Sequence, residues 1–110
     1  MRFMLTFRVP MDEGNAGIKD GSLGQTLETI IDELNPEAAY FGPIEGARGG
    51  YFVVNMDDPS QIPAIAEPFF LGLGATIQIT PVFTPDELSA ETLQQAAQKY
   101  GSRAPHDPSR

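Results

Sequence analysis

Cysteine and tryptophan are absent from this chain, histidine occurs once, and cations are scarce: seven Lys and Arg stand against fifteen Asp and Glu, a formal charge of -8 at pH 7. Without cysteine there is no disulfide and no thiolate metal site, a composition suited to a reducing cytoplasm. The single histidine, His106, sits between Pro105 and Pro108 in a stretch without apolar periodicity. A Ser-His-Asp or Cys-His arrangement therefore has no imidazole to hold beside a nucleophile. Zinc needs three or four ligands at fixed spacing, and Asp57 and Asp58 read as a helix cap and not as a metal pair. No metal and no cofactor are expected. The acidic balance repels phosphates and anionic surfaces, so neither nucleic acid nor membrane is an expected partner. No apolar run approaches the ~18 residues that span a bilayer, and Met1 to Pro10 alternates where a signal peptide would carry an apolar core. The expectation is a soluble, unexported, cytoplasmic protein.

What the chain does have is a clear order of apolar periods. Phe3, Leu5, Phe7 and Val9 alternate with Arg2, Met4, Thr6 and Arg8, a half-apolar first strand ended by Pro10. Met11 to Gly21 is polar and rich in glycine and reads as a long loop. Ser22 is placed to cap a helix whose stripe is Leu23, Leu27, Ile30, Ile31 and Leu34, stopped by Asn35 and Pro36. Ala38 to Ile44 reads as a second strand, and Gly42 with Pro43 marks it as an edge or a bulge. Glu45 to Gly50 has hairpin-loop chemistry, and Tyr51 to Met56 forms a third strand with Tyr51 and Val53 on one face and Phe52, Val54 and Met56 on the other.

Asp58 and Pro59 start a second helix with Ile62, Ile65, Ala66, Phe69 and Phe70 inward, and Pro68 predicts a kink or a restart in it. Gly72 and Gly74 close it. Ala75, Ile77 and Ile79 alternate with Thr76, Gln78 and Thr80 in a fourth strand, and Thr84, Pro85 and Glu87 form a capping box before a third helix carrying Leu88, Leu93, Ala96, Ala97 and Tyr100, with Gly101 at its C-cap. Residues 1–100 are read as one domain and residues 101–110 as a flexible tail, in a chain long enough to bury roughly 65% of its unfolded surface.

The order βαββαβ with right-handed crossovers gives a ferredoxin-like α+β fold: a four-stranded antiparallel sheet, order 4-1-3-2, with two helices on one face and a C-terminal helix besides. The other face is left bare, mixing Met4, Thr6, Arg8, Thr76, Gln78 and Thr80 with one apolar row of the third strand. Such a patch marks a contact, and its expected cover is an identical face in a sheet-to-sheet homodimer.

GGYFVVNMDDP at the third strand and second helix start, and ATIQITPVF at the last strand, together with the element order over residues 1 to 83, resemble the dimeric α+β barrel superfamily. That superfamily includes muconolactone isomerase, YCII-like and EthD-like proteins and small cofactor-free monooxygenases. The chain is also similar to small bacterial proteins with the same PVFTP type of ending. The resemblance implies a dimeric barrel. It does not extend to the aspartate-histidine pair of YCII-like members, nor to the helix histidine that holds iron in haem-degrading ones, and haem is set aside.

Two glycine-rich segments invite a ligand reading. Gly46 to Gly50 with Arg48 have the donors to cradle an anion, but phosphate loops lead into helices and this one leads into a strand, so a hairpin turn is the stronger reading. Gly72 to Gly74 reads as a helix stop.

The polar set on the bare face is different. Arg8 and Thr6 project to the same side, with Gln78 and Thr76 across from them. A buried arginine needs an acid such as Glu13, or a bound carboxylate or enolate, unless it is a satisfied interface arginine at a strand end. Tyr40 and Tyr51 add phenolic donors that orient a carbonyl or serve as general acid, or else pack half-buried. The expected site is an apolar cavity between sheet and helices or inside the barrel, rimmed by Phe7, Tyr40, Phe52, Phe69 and Phe70 and oriented by Arg8 and Gln78, with Thr6 beside them. The expected ligand is small and apolar or acidic. The compatible chemistry is proton relocation next to a carbonyl, or cofactor-free oxygenation of an acidic phenol, with Glu13 or Glu45 as the base. The alternative is a non-catalytic oligomeric or binding module.

Overall fold

The computed structural model describes residues 1–101, so His106 and the expected tail beyond Gly101 lie outside the described residues. Strands β1 (Arg2–Arg8), β2 (Ala38–Ile44), β3 (Ala47–Asn55) and β4 (Thr76–Pro81) form one antiparallel sheet in the order β2-β3-β1-β4. This is the expected ferredoxin-like order, with the proline-bearing β2 at an edge. Helices α1 (Met11–Asp20), α2 (Ser22–Leu34) and α3 (Ile62–Leu73) lie along the chain between these strands, and α4 (Ala90–Tyr100) follows the sheet.

The core is the layer between the sheet and α2 and α3. Leu5, Phe7, Phe52 and Val54 come from the strands, Leu23 and Ile30 from α2, and Ile65, Phe69 and Leu73 from α3. At its centre Phe7, Phe52 and Phe69 meet with ring centroids 5.3 to 5.7 Å apart, the tilted and edge-on contacts aromatic quadrupoles favour.

Several expectations are corrected. Met11 to Asp20 is a helix, not a loop. Pro10, at φ -56° on its N-terminal side, and Asp12 and Glu13 in its first turn favour a helix start, and Gly21 at φ 80° ends it in the left-handed conformation. Its buried residues are Gly14 and Gly17, so α1 packs by close backbone approach and leaves no apolar stripe in the sequence. A methyl on Gly17 would stand 3.0 Å from Leu23 Cβ. Ser22 does not cap α2: its N–H donates to Asp20 Oδ1 at 2.8 Å, which holds the Asp20 carboxyl below its ordinary value.

The β2–β3 turn is confined to Glu45 and Gly46, at φ 48° and 80°, and Ala47 to Gly50 already pair with β2. Gly49 and Gly50 belong in that strand because a side chain on either would strike a neighbouring carbonyl, that of Phe7 or of Tyr40. Helix α3 runs through Pro68 without restarting. Ile65 and Ala66 before the proline and Phe69 and Leu73 after it are all buried, so both halves face the core. Ile62 and Phe70 are exposed, and Leu73 takes the inward place expected of them. Gly72 lies inside α3, where a methyl would collide with Thr26 of α2, and only Gly74 caps the helix.

The Thr84–Glu87 box closes a single 3-10 turn, Pro85–Glu87. The helix expected after it begins afresh at Ala90, where the Ser89 hydroxyl accepts from the Thr92 N–H. No residue of α4 is buried, and Gly101 at its end is right-handed.

Candidate functional site

The face of the sheet turned away from α2 and α3 is built in straight rows by the strand register. Tyr40, Tyr51, Thr6 and Gln78 form one row, flanked by Ala38, Val53, Met4 and Thr80 on one side and by Gly42, Gly49, Arg8 and Thr76 on the other. The sheet thus brings Thr6, Arg8, Tyr40, Tyr51 and Gln78 onto one surface, as their alternation requires. Arg8 is satisfied by the chain itself: Nε donates to the Ile44 carbonyl at 3.2 Å and Nη2 to the Glu45 carbonyl at 3.5 Å. Glu13, the acid considered as its partner, lies on α1 against Gly74. Glu45 stands exposed in the turn.

At the far end of this face Arg2 Nε donates to the Glu37 carboxylate at 3.0 Å and Nη1 to Glu87 Oε1 at 2.7 Å, while Asn55 Nδ2 donates to Glu37 Oε1 at 2.7 Å. The Arg2 and Asn55 hydrogen bonds hold the Glu37 carboxyl below its ordinary value. Glu87 is lowered first by the Thr84 N–H and then by Arg2. This cluster ties the turn before α4 to the sheet, and periodicity carried no sign of it.

The aromatic residues expected to rim one cavity part company. Phe52 and Phe69 are filled core, Phe70 is turned to solvent on α3, and Tyr40 is on the opposite face. Only Phe7 borders a cavity. That cavity is a cleft of about 580 Å³, a volume ordinary for a small-ligand site. It lies on the helix side of the sheet, between α1 and α2 and the β2–β3 hairpin. Met11 of α1, Leu23 and Leu27 of α2, Phe7 and Val9 of the first strand and its exit, and Phe41 and Pro43 of β2 give it apolar walls. Phe41 is 55% exposed yet edges onto Phe7 and Phe52 at 6.3 and 5.9 Å. One side of its ring is fixed by the core and the other is left facing the opening.

Among the described residues a single charged one, Arg48 of β3, joins these walls. Its Nη1 donates to Asn15 Oδ1 on α1 at 2.9 Å. The absence of a side chain at Gly14 lets it lie there, since a methyl at that position would stand 3.0 Å from Nη1 and 3.5 Å from Cδ. Among the described residues no carboxylate pairs with Arg48, whereas Arg2 pairs with two. Arg48 was legible as a cation in a glycine-rich hairpin. Its neighbours Asn15 and Gly14 were not, because they arrive on a helix that has no apolar stripe. No group of His, Asp and Glu able to hold a metal occurs among the described residues, and no helix among them is long and apolar enough to cross a membrane.

Residues 1–97 match the profile of a protein family described as "Domain of unknown function (DUF3303)". No curated protein matches the chain.

Proposed function

The chain belongs to the DUF3303 family, and for it we propose the role of a small-molecule-binding protein whose ligand occupies the cleft between α1, α2 and the β2–β3 hairpin. The observation that carries this reading is an open, apolar-walled cavity of ligand size at the edge of the core. Exposed apolar walls of this kind are costly in water and are relieved by an apolar occupant. Among the described residues the cleft lining contains no carboxylate, imidazole or hydroxyl side chain, and Glu13 and Glu45 are not part of it. This favours capture or presentation of a ligand over isomerisation or oxygenation within the cleft, both of which need a base in reach of the substrate.

The test is a cleft-filling substitution, Leu27→Trp. The wild-type chain is expected to bind an apolar probe such as 1-octanol, and the variant to lose that binding while its circular dichroism is unchanged. A wild-type chain that binds no apolar probe, or a variant that binds as well as wild type, contradicts the reading.

A second reading concerns the opposite face, where Tyr40 is 65% and Tyr51 42% exposed beside Val53 and Met4. We propose that this surface is covered by a second copy, sheet against sheet, the arrangement of a dimeric α+β barrel. What supports it is the contiguous aromatic and apolar patch on a face that carries no helix. Light scattering is expected to return twice the chain mass, falling to the monomer in Tyr51→Arg. A monomeric wild type overturns it and leaves the cleft reading standing.

A further inference from the structure

Resting on the cleft reading, we infer that Arg48 recognises an anionic head group, so that the ligand is a monoanion with an apolar body, of the class of medium-chain or arylalkyl carboxylates. Among the described residues the guanidinium is the only charged group of the cleft. It is held in place from one side by Asn15 and Gly14, and among the described residues that is one hydrogen bond for a group with five donors. In a chain with fifteen acids and seven Lys and Arg, an arginine without a carboxylate partner among the described residues is an unspent binding group. Arg2 has two such partners, and Arg8 is taken up by backbone carbonyls.

A planar guanidinium matches a carboxylate through paired N–H donors. Arg48 is itself exposed, so the pair forms at the mouth of the cleft while the neighbouring Leu, Phe and Met walls take the apolar body. One cation in a field of net charge -8 suits a single negative charge and disfavours a phosphate or dicarboxylate. Among the described residues the walls supply no side-chain acceptor for an ammonium or a sugar hydroxyl. Head and tail are therefore assigned: carboxylate at Arg48, apolar body toward Leu23, Leu27 and Phe41.

The test compares octanoate with 1-octanol by titration calorimetry on the full chain at pH 7. Wild type is expected to prefer octanoate severalfold, the yield of a solvent-accessible charge pair. Arg48→Gln should bring the two to parity with octanol binding retained, and Arg8→Gln should keep the wild-type preference. Asn15→Asp places a carboxylate beside the guanidinium without deleting it and should also abolish the preference, which covers the case in which Arg48→Gln misfolds. Equal affinities in wild type, a preference that survives both Arg48→Gln and Asn15→Asp, or one lost in Arg8→Gln overturns the assignment while leaving the cleft as a site. If wild type binds neither probe, the cleft reading itself has failed.

Discussion

At Gly14 a single methyl would press on the Arg48 guanidinium at 3.0 Å while the helix around it would welcome alanine. The two effects separate in one variant. Gly14→Ala should stabilise the fold by up to about 1 kcal/mol through helix propensity and, by displacing Arg48 from Asn15, weaken octanoate binding severalfold. Urea melts and calorimetry on the same sample check both. Parallel changes, stability and binding rising together, would detach Arg48 from the site. The neighbouring phenylalanines of α3 give a second contrast at this scale. Phe69 is fully buried among Phe7 and Phe52, and Phe70 is 43% exposed. Phe69→Ala should cost about 3 to 5 kcal/mol and Phe70→Ala less than about 1 kcal/mol, read from chemical denaturation. Their sequence is a bare pair of identical residues. Which one faces inward depends on helical phase, and the phase set by Ile65, Ala66 and Leu73 selects Phe69.

Among the elements, strands were the legible part. Arg2 to Arg8 alternates cleanly because one face packs on helices and the other does not, and β2 falls on Ala38 to Ile44 with its proline at an edge as expected. What could not be read were elements whose packing runs through glycine. Helix α1 turns Gly14 and Gly17 inward, and β3 begins with Ala47 to Gly50 under the Phe7 and Tyr40 carbonyls. In both, the missing side chain is the packing device, so hydrophobic periodicity has nothing to register. Those two elements supply the polar corner of the cleft, Asn15 and Arg48, and for that reason the corner was invisible in sequence while the aromatic wall was not. The turn between β2 and β3 offers a direct check on the hairpin geometry. Both Glu45 and Gly46 have positive φ, the type I′ conformation that asparagine tolerates better than glutamate. Glu45→Asn should raise stability by roughly 0.5 kcal/mol, seen as a higher denaturation midpoint. A loss of stability would contradict the two-residue turn.

Across the whole molecule the charge is strongly negative, and the carboxylates with partners set how it responds to acid. Glu37 and Glu87 lie below their ordinary value of 4.5, and Asp20 and Asp58 below 3.8. Folded-state values below the unfolded ones mean that the folded state binds fewer protons, so stability from these groups is complete above pH 4.5 and is lost as pH falls through and below 3.8. Because all four are solvent-exposed, the loss is expected to be gradual and to be reduced by salt. Midpoints measured from pH 7 to pH 3 should hold and then fall, and Arg2→Met should flatten the fall. A chain more stable at pH 3 than at pH 6 would contradict this distribution of charge.

The most direct check on the account is a map of where an apolar monoanion lands. Amide chemical shifts recorded during an octanoate titration should move at Met11 to Asn15, at Leu23 and Leu27, and along Phe41 to Gly49. The rows around Thr6 and Gln78 on the bare face should stay still. Shifts confined to that bare face, or none at all at saturating probe, would contradict the central claim that the helix-side cleft is the binding site.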